Sequence, residues 1–236
     1  MLAKKYRSVV ISIFKPIIGI YTVEFRSLNG IFKYAPGQFL HLAPDTDYDG
    51  SSQWPDSRCF SMQSNPSEET IKITYAVKGR FTRQMEENLK VGSNVWLKLP
   101  YGDLFTQPHN KINTVFIAGG TGITPFLSLF THESFNQYDN PRIYLGFRSK
   151  EYNIYEPELN FVIRQLADRE HFAKLCEHRI YYQDIDGLLD IDSIFTENSV
   201  YSNYFISGPP AMIRTFKQAL ISKGLPGSQI LTDDWE

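Results

Sequence analysis

With 236 residues, the chain is long enough for two hydrophobic cores, and 42% hydrophobic, 21% charged and 14% aromatic residues describe a folded globular protein, not a disordered one. A formal net charge of -2, with Lys and Arg scattered, offers no basic footprint for a phosphate backbone, so nucleic acid is excluded as a partner. The two cysteines, Cys59 and Cys176, form no CxxC and no Cys/His cluster, which excludes a disulfide framework, a zinc or other metal site and a chain-borne iron–sulfur cluster, and suits a cytoplasmic protein.

Lys4, Lys5 and Arg7 precede an apolar run at residues 9–14 that Lys15-Pro16 interrupts. The run is too short to span a bilayer and no small-residue cleavage site follows, so a first β-strand is expected here, neither a signal peptide nor a segment of an integral membrane protein. A turn at residues 16–19 and a second strand at 20–26 come next. To about residue 106 the chain shows short alternating segments between turn residues such as Gly30, Pro36-Gly37, Asn65-Pro66 and Gly92-Ser93, the texture of an antiparallel barrel or sandwich. A single helix is expected at residues 81–89, with Phe81, Met85 and Leu89 on one face. The polar, proline-bearing segment 107–110 marks a boundary, giving domains 1–108 and 109–236. Beyond it, strands at 114–118, 142–147, 179–183 and 204–206 alternate with helices near 124–133, 156–168 and 210–223, which implies an α/β domain with a parallel sheet covered on both faces.

Four stretches carry chemistry. In Thr114-Val115-Phe116-Ile117-Ala118-Gly119-Gly120-Thr121-Gly122-Ile123-Thr124-Pro125, a buried strand runs into glycines and then a helix, with Thr124 as expected N-cap and Pro125 at the first helical position. Such a unit suits a dinucleotide, because glycines let a pyrophosphate approach the backbone while free N–H groups face it. The spacing Gly120-x-Gly122-x-x-Pro125 lacks the third glycine of the usual fingerprint. Arg58-Cys59-Phe60-Ser61 opens a strand with a planar fork for phosphate, an aromatic face for a planar ring and a small hydroxyl. Gly79-Arg80-Phe81-Thr82 is a second candidate phosphate site at a helix start, where Thr82 can also act as a simple N-cap. Ser207-Gly208-Pro209-Pro210-Ala211-Met212 ends the last buried strand, where ligands of open α/β sheets bind.

Taken in this order, these motifs resemble the ferredoxin–NADP reductase superfamily over nearly the whole chain. Its flavin signature matches Arg58 to Ser61, and its upstream Pro-Gly-Gln-Phe matches Pro36 to Phe39. Its Gly-x-x-Ser/Thr matches Gly79 to Thr82, and its domain-closing turn is partly met by Pro100, Gly102 and Phe105. Its nucleotide turn matches Gly119 to Pro125, and its Cys/Ser-Gly-Pro-x-x-Met matches Ser207 to Met212. The resemblance implies a six-stranded flavin barrel followed by a Rossmann-like nicotinamide-dinucleotide domain, with hydride transfer between them. It implies Arg58 at the flavin phosphates, Phe60 against the isoalloxazine, Ser61 near its N5, and Gly79 and Thr82 at the pyrophosphate, with Cys59, Tyr75, Val77 and Phe81 also lining the cofactor. Gly120, Thr121, Gly122, Thr124, Pro125, Arg148, Asp184, Ser207, Gly208, Pro209 and Met212 would hold the nicotinamide dinucleotide. Ser61, Ser207 and Trp235 are the implied catalytic group, Trp235 covering the flavin from the chain end. Two departures, Phe60 for the family's tyrosine and Ser207 for its common cysteine, keep the ring face and a small polar group.

Two phosphate devices on one barrel favour FAD over FMN. NADH is expected ahead of NADPH because Asp184 and Asp186 would repel a 2′-phosphate, with Arg148 and Lys150 pulling the other way. The expected activity is an NAD(P)H-dependent flavin reductase serving an electron-acceptor protein, such as a ferredoxin, flavodoxin, oxygenase component or haem protein. The alternative is a non-catalytic flavin- and nucleotide-binding regulatory subunit. Retention of Arg58, Ser61 and Ser207 favours the enzyme.

Overall fold

The computed structural model describes residues 2–44, 47–167, 177–198 and 200–233. The chain divides into two compact units, residues 1–103 with 127–132, and residues 104–126 with 133–236.

The first unit is a six-stranded antiparallel sheet rolled into a nearly closed barrel, in the order β4-β3-β6-β1-β2-β5. Its strands are β1 (Lys4–Ile17), β2 (Ile20–Ser27), β3 (Phe39–Ala43), β4 (Arg58–Ser61), β5 (Thr70–Ala76) and β6 (Asn94–Tyr101), with helix α1 (Arg80–Asn88) between β5 and β6. Alternation of apolar and polar residues puts Val23, Phe25, Leu40, Leu42, Ile71, Ile73 and Leu97 inside, all fully buried. Phe81 and Met85 of α1 join the same core. β1 runs beyond its expected end and carries Pro16. The β1–β2 register shifts between Val10 and Ser12 and again between Phe14 and Ile17, and the second bulge absorbs the proline that a regular ladder would reject. The turn falls at Gly19, in the left-handed region.

β4 and β5 are the two ends of the sheet order, and side chains join them. Phe60 lies 5.8 Å from the Tyr75 ring. Just past β4, Gln63 donates its N–H to the Lys72 carbonyl at 2.8 Å and accepts from Thr74 Oγ1 at 2.6 Å.

The second unit is a five-stranded parallel sheet in the order β11-β10-β7-β8-β9. The strands are β7 (Thr114–Gly119), β8 (Arg142–Phe147), β9 (Glu177–Tyr182), β10 (Asn203–Ser207) and β11 (Ile230–Thr232). Helices α2 (Thr124–Phe130, counted with this unit up to Phe126), α3 (Glu156–Ala167), α4 (Gln183–Asp186), α5 (Ile191–Glu197) and α6 (Pro210–Ser222) follow the strands. Alternate residues of β7 and β10 serve different faces. Val115, Ile117, Tyr204 and Ile206 pack on Ile191, Ile194, Ile213 and Leu220, whereas Phe116 and Phe205 stack at 5.4 Å within a cluster holding Phe105, Phe126 and Tyr138. The short α5 and β11 were not expected from the sequence. Gln183, expected at the end of a strand, opens α4 instead. Among the described residues no helix is long and apolar enough to cross a membrane.

Tyr204 is fully buried and its hydroxyl has no hydrogen-bond partner among the described residues. A buried hydroxyl that left water without a new partner destabilises the fold. Tyr204→Phe is therefore expected to keep the melting temperature or raise it, by up to about 1 kcal/mol in stability, in a thermal unfolding measurement. A clear loss of stability would mean that the hydroxyl is satisfied.

Candidate functional site

Arg58 and Phe60 are on the barrel side of β4, opposite Leu42 and Leu40 of β3. Arg58 sits at the strand's exposed start, where its Nη1 donates to Asp56 Oδ1 at 2.9 Å and to the Ser57 carbonyl at 2.7 Å. Its guanidinium carbon lies 5.1 Å from the Phe81 ring centroid. Phe81 is the second residue of α1, and Gly79 immediately precedes that helix with extended backbone, φ -136° and ψ -176°. The Arg58 and Gly79 motifs, separate in sequence, thus meet at one place. A Cβ built on Gly79 meets nothing within 4 Å, so no side chain crowds the start of α1 in that direction.

Thr82 is not the N-cap. It is the third helical residue and its hydroxyl reaches back, accepting from the N–H of Gly79 at 3.1 Å and of Lys78 at 3.0 Å. The hydroxyl therefore holds the turn in shape, which leaves backbone N–H donors and Arg58 as the groups here that could hold an anion. Tyr75, only 4% exposed, stacks on Tyr21 at 5.5 Å and belongs to the core. Val77 is half-buried against the same core, its N–H donated to the Gly19 carbonyl. Phe60 is half-buried and packs against the barrel core.

Cys59 and Ser61 are on the opposite face of β4, across from His41 and Phe39 of β3. Cys59 Sγ lies 3.5 Å from His41 Nε2 and 3.7 Å from Nδ1. Phe39 stacks on Tyr101 at 5.6 Å, and His41 meets the same tyrosine edge-on at 4.7 Å. Burial, reinforced by the Lys98 charge, holds the His41 imidazole below its ordinary pKa.

In the second unit β7 stands between β10 and β8, so strand order reverses beside it. The turns after β7 and β10 flank this switch point, the place where open α/β sheets take their ligands. The glycines there have separable tasks. A Cβ on Gly122 would fall 2.5 Å from both Cα and N of Gly208, so Gly122 exists because two turns press together backbone to backbone. Gly208, at φ +151°, and Gly119 are similarly enclosed by Met212, whose side chain covers this glycine cluster. Gly120 differs. It has φ +55° and a Cβ direction with nothing within 4 Å, which makes it the glycine that leaves room for a ligand.

Thr124 is not an N-cap either. Residues Gly120–Ile123 form a 3₁₀ turn, Thr124 is itself helical at φ -56° and ψ -44°, and its hydroxyl donates to the Thr121 carbonyl at 2.9 Å. The glycine turn thus winds straight into α2, and the buried Pro125 follows where no N–H is required. Pro209, exposed, precedes α6, whose first residue is Pro210.

Arg148 follows β8, and its guanidinium carbon lies 5.1 Å from the Tyr152 ring centroid. Its carbonyl accepts the Asp184 N–H at 3.3 Å, so Arg148 and Asp184 stand together at the carboxyl ends of β8 and β9. Asp184 is exposed. Asp186 is committed elsewhere, because its carboxylate accepts the Tyr182 N–H at 2.9 Å and closes α4. Ser207, 1% exposed, donates its hydroxyl to Asp233 Oδ2 at 3.1 Å, and the Asp233 N–H is donated to the Ile206 carbonyl at 3.0 Å. Asp233 was not anticipated, and only its place just after a third apolar run at the chain end could have signalled it. Trp235 lies outside the described residues.

The family model for the oxidoreductase NAD-binding domain matches residues 116–218. The reductase component of propane 2-monooxygenase from Rhodococcus jostii (strain RHA1) is 28% identical over 217 residues, covering 86% of this chain and 55% of that protein. The ferredoxin reductase component of 3-ketosteroid-9-alpha-monooxygenase from Rhodococcus rhodochrous is 26% identical, covering 86% and 56%. The chain therefore spans somewhat over half the length of these relatives. Among solved structures, the ferredoxin reductase in carbazole 1,9a-dioxygenase aligns with a TM-score of 0.75 at 20% identity, over 100% of this chain and 70% of that one. The ferredoxin NADP+ reductase from Neisseria gonorrhoeae, solved with bound FAD and NADP, aligns with a TM-score of 0.75 at 18% identity, over 99% and 98%. Both likenesses concern the fold, an antiparallel barrel and a parallel α/β sheet. Residues 116–218 thus match an oxidoreductase NAD-binding domain, and over most of its length the chain is similar to reductases of the ferredoxin reductase type.

Proposed function

We propose that this protein is an FAD-containing reductase that takes hydride from NADH or NADPH and passes electrons to a separate acceptor protein, a ferredoxin, flavodoxin, oxygenase component or haem protein. The relatives named above serve oxygenases, which supports such an acceptor. The observation that carries the reading is the contact of Arg58 with Phe81, one residue into the helix that Gly79 opens, which brings two weak phosphate motifs to one place. FAD bound there supplies the conversion of a two-electron hydride donor into an electron source for its acceptor. The chain's part is placement. Arg58 and the first N–H groups of α1 would hold the phosphates, Phe60 would face the isoalloxazine, and Ser61 would offer a hydroxyl to its N5. In the α/β domain, taken as 109–236 against 1–108 for the flavin domain, Gly120 gives the pyrophosphate room. Ser207, oriented by Asp233, would present its hydroxyl to the nicotinamide. Trp235 would close over the flavin, and a reducing cytoplasm suits the two cysteines.

The test is purification with FAD followed by anaerobic titration with NADH and NADPH and then with candidate acceptors. Bleaching of a bound flavin by stoichiometric nucleotide is the expected result. A protein that stays colourless with FAD present refutes the reading, and one that binds FAD but is never reduced is the regulatory subunit instead.

NADH is the proposed donor, and of the two aspartates Asp184 is the one free to set that choice, since Asp186 closes α4. Asp184→Ser is expected to lower the NADH over NADPH ratio of kcat/KM by about tenfold, roughly 1.4 kcal/mol. Asp186→Asn should lower stability and leave the ratio alone. An unchanged ratio in Asp184→Ser would remove this residue from the nucleotide site.

A further inference from the structure

One corner of the barrel gathers cations that look scattered along the sequence. Residues 1–44 carry six basic residues, Lys4, Lys5, Arg7, Lys15, Arg26 and Lys33, against one carboxylate, Glu24, in a chain of formal net charge -2. Tyr6, Ser8 and Val10 of β1 are buried, so Arg7 and Val9 between them face outward, and Arg26 of β2 stands opposite Val9. The Leu28 N–H donates to the Arg7 carbonyl at 2.8 Å, and Asn29 Oδ1 accepts the Arg7 N–H at 3.0 Å, which holds the loop after β2 against β1. Phe32 enters the core beside Tyr6, ring centroids 5.1 Å apart, and the alternation of burial turns its neighbours Ile31 and Lys33 outward. Leu28 is 53% exposed and Ile31 77%, with exposed Arg7 and Arg26 beside the first and exposed Lys33 beside the second. None of these three cations forms an ion pair with a described residue. Glu24, the one carboxylate of β2, lies on the hairpin side of Arg26 and accepts from Thr70 Oγ1 at 2.5 Å. Glu69 precedes Thr70, which stands across from Arg26, so carboxylates border the patch at Arg26 and leave Arg7 and Lys33 to flank the two aliphatic side chains.

We propose that this corner, Arg7, Arg26 and Lys33 around Leu28 and Ile31, is a docking surface for the anionic face of a lipid bilayer. A basic residue close to such a leaflet gains from its negative surface potential, and an aliphatic side chain gains by leaving water for the boundary between headgroups and acyl chains. The loop is already held in place by its two hydrogen bonds to Arg7, so seating Leu28 and Ile31 costs little further ordering. Lipid suits this surface better than an acidic protein does. Protein interfaces concentrate aromatic side chains at their centre and are depleted in lysine, whereas the aromatic residues of this corner, Tyr6, Phe25 and Phe32, are all buried and what projects is aliphatic and cationic. The surface does not depend on flavin or nucleotide binding.

The test is co-sedimentation of the purified full chain with vesicles of mixed phosphatidylglycerol and phosphatidylcholine, and with vesicles of phosphatidylcholine alone. Partitioning onto the anionic vesicles is expected to be at least about tenfold stronger, and to collapse in about 1 M salt, where the screening length is only about 3 Å. Arg7→Gln combined with Lys33→Gln should weaken it by roughly 30-fold, the usual contribution of two surface charges. Leu28→Ser combined with Ile31→Ser should weaken it as well and leave its salt dependence in place. Arg214→Gln combined with Lys217→Gln removes the same charge from α6 and should change little. Circular dichroism confirms that each variant is folded. Equal partitioning onto the two kinds of vesicle overturns the proposal, as does undiminished binding in the Arg7→Gln/Lys33→Gln variant or an equal loss in the α6 variant. Retention on immobilised polyglutamate without binding to anionic vesicles also overturns it, and assigns the corner to an acidic protein.

Discussion

Gly122→Ala is expected to destabilise the protein by about 3 kcal/mol or more, the upper range for added volume in a packed interior. The new methyl would stand 2.5 Å from Cα and N of Gly208 and 2.6 Å from the Ser207 carbonyl carbon. Flexible side chains can move aside, but these are backbone atoms at the end of a strand that β7 and β11 hold from both sides. At the usual slope for a unit of this size, the melting temperature should fall by roughly 10 °C or more. Gly120→Ala is the control, since its methyl would point into open space. It should cost only the left-handed backbone strain, about 1–2 kcal/mol, while hindering the dinucleotide. Thermal unfolding of the two variants side by side decides the matter. If Gly122→Ala melts no lower than Gly120→Ala, the two turns are not packed as described.

Arg58→Ala is expected to weaken flavin retention by on the order of 1.5–3 kcal/mol, roughly 10- to 150-fold in Kd, through loss of a charge-assisted contact. The fold should not suffer. Arg58 is exposed, and its pairing with Asp56 is an open surface contact of the kind that contributes little. Arg58→Lys should recover part of the affinity at most, because an ammonium lacks the planar fork and stacks poorly over the Phe81 ring. Equilibrium dialysis of FAD against the three proteins measures this, and equal affinities would take Arg58 out of the phosphate grip.

Much of the architecture was readable in the residues because burial leaves a periodic trace. The alternation along β2 and β5, the continuous apolar run of β7 and the glycines after it mark barrel, parallel strand and turn. Local hydroxyl chemistry was misread twice for one reason. Thr82 and Thr124 each stand near a helix start, but their hydroxyls engage carbonyls or N–H groups one turn away, which depends on where the first helical residue falls. Asp184 and Asp186 look alike in sequence and both are exposed, and only the turn of α4 makes Asp186 the one that closes the backbone. The Cys59–His41 pair was invisible because its partners sit 18 positions apart on neighbouring strands, and register is a property of the sheet, not of either strand.

The barrel's closure between β4 and β5 has a consequence for its motions. The other neighbouring strands share backbone ladders, bulged in β1–β2 and β3–β6, whereas this seam relies on a ring contact, side-chain bonds and the Gln63 to Lys72 link. Amide protons on an edge strand exchange with solvent through small local openings that never unfold the whole domain. Arg58 sits on the strand at that seam, and its partner helix α1 follows β5 on the other side. An anion gripped by both would act as a clasp across the weakest joint, so ligand occupancy and slow exchange along β4 would rise together.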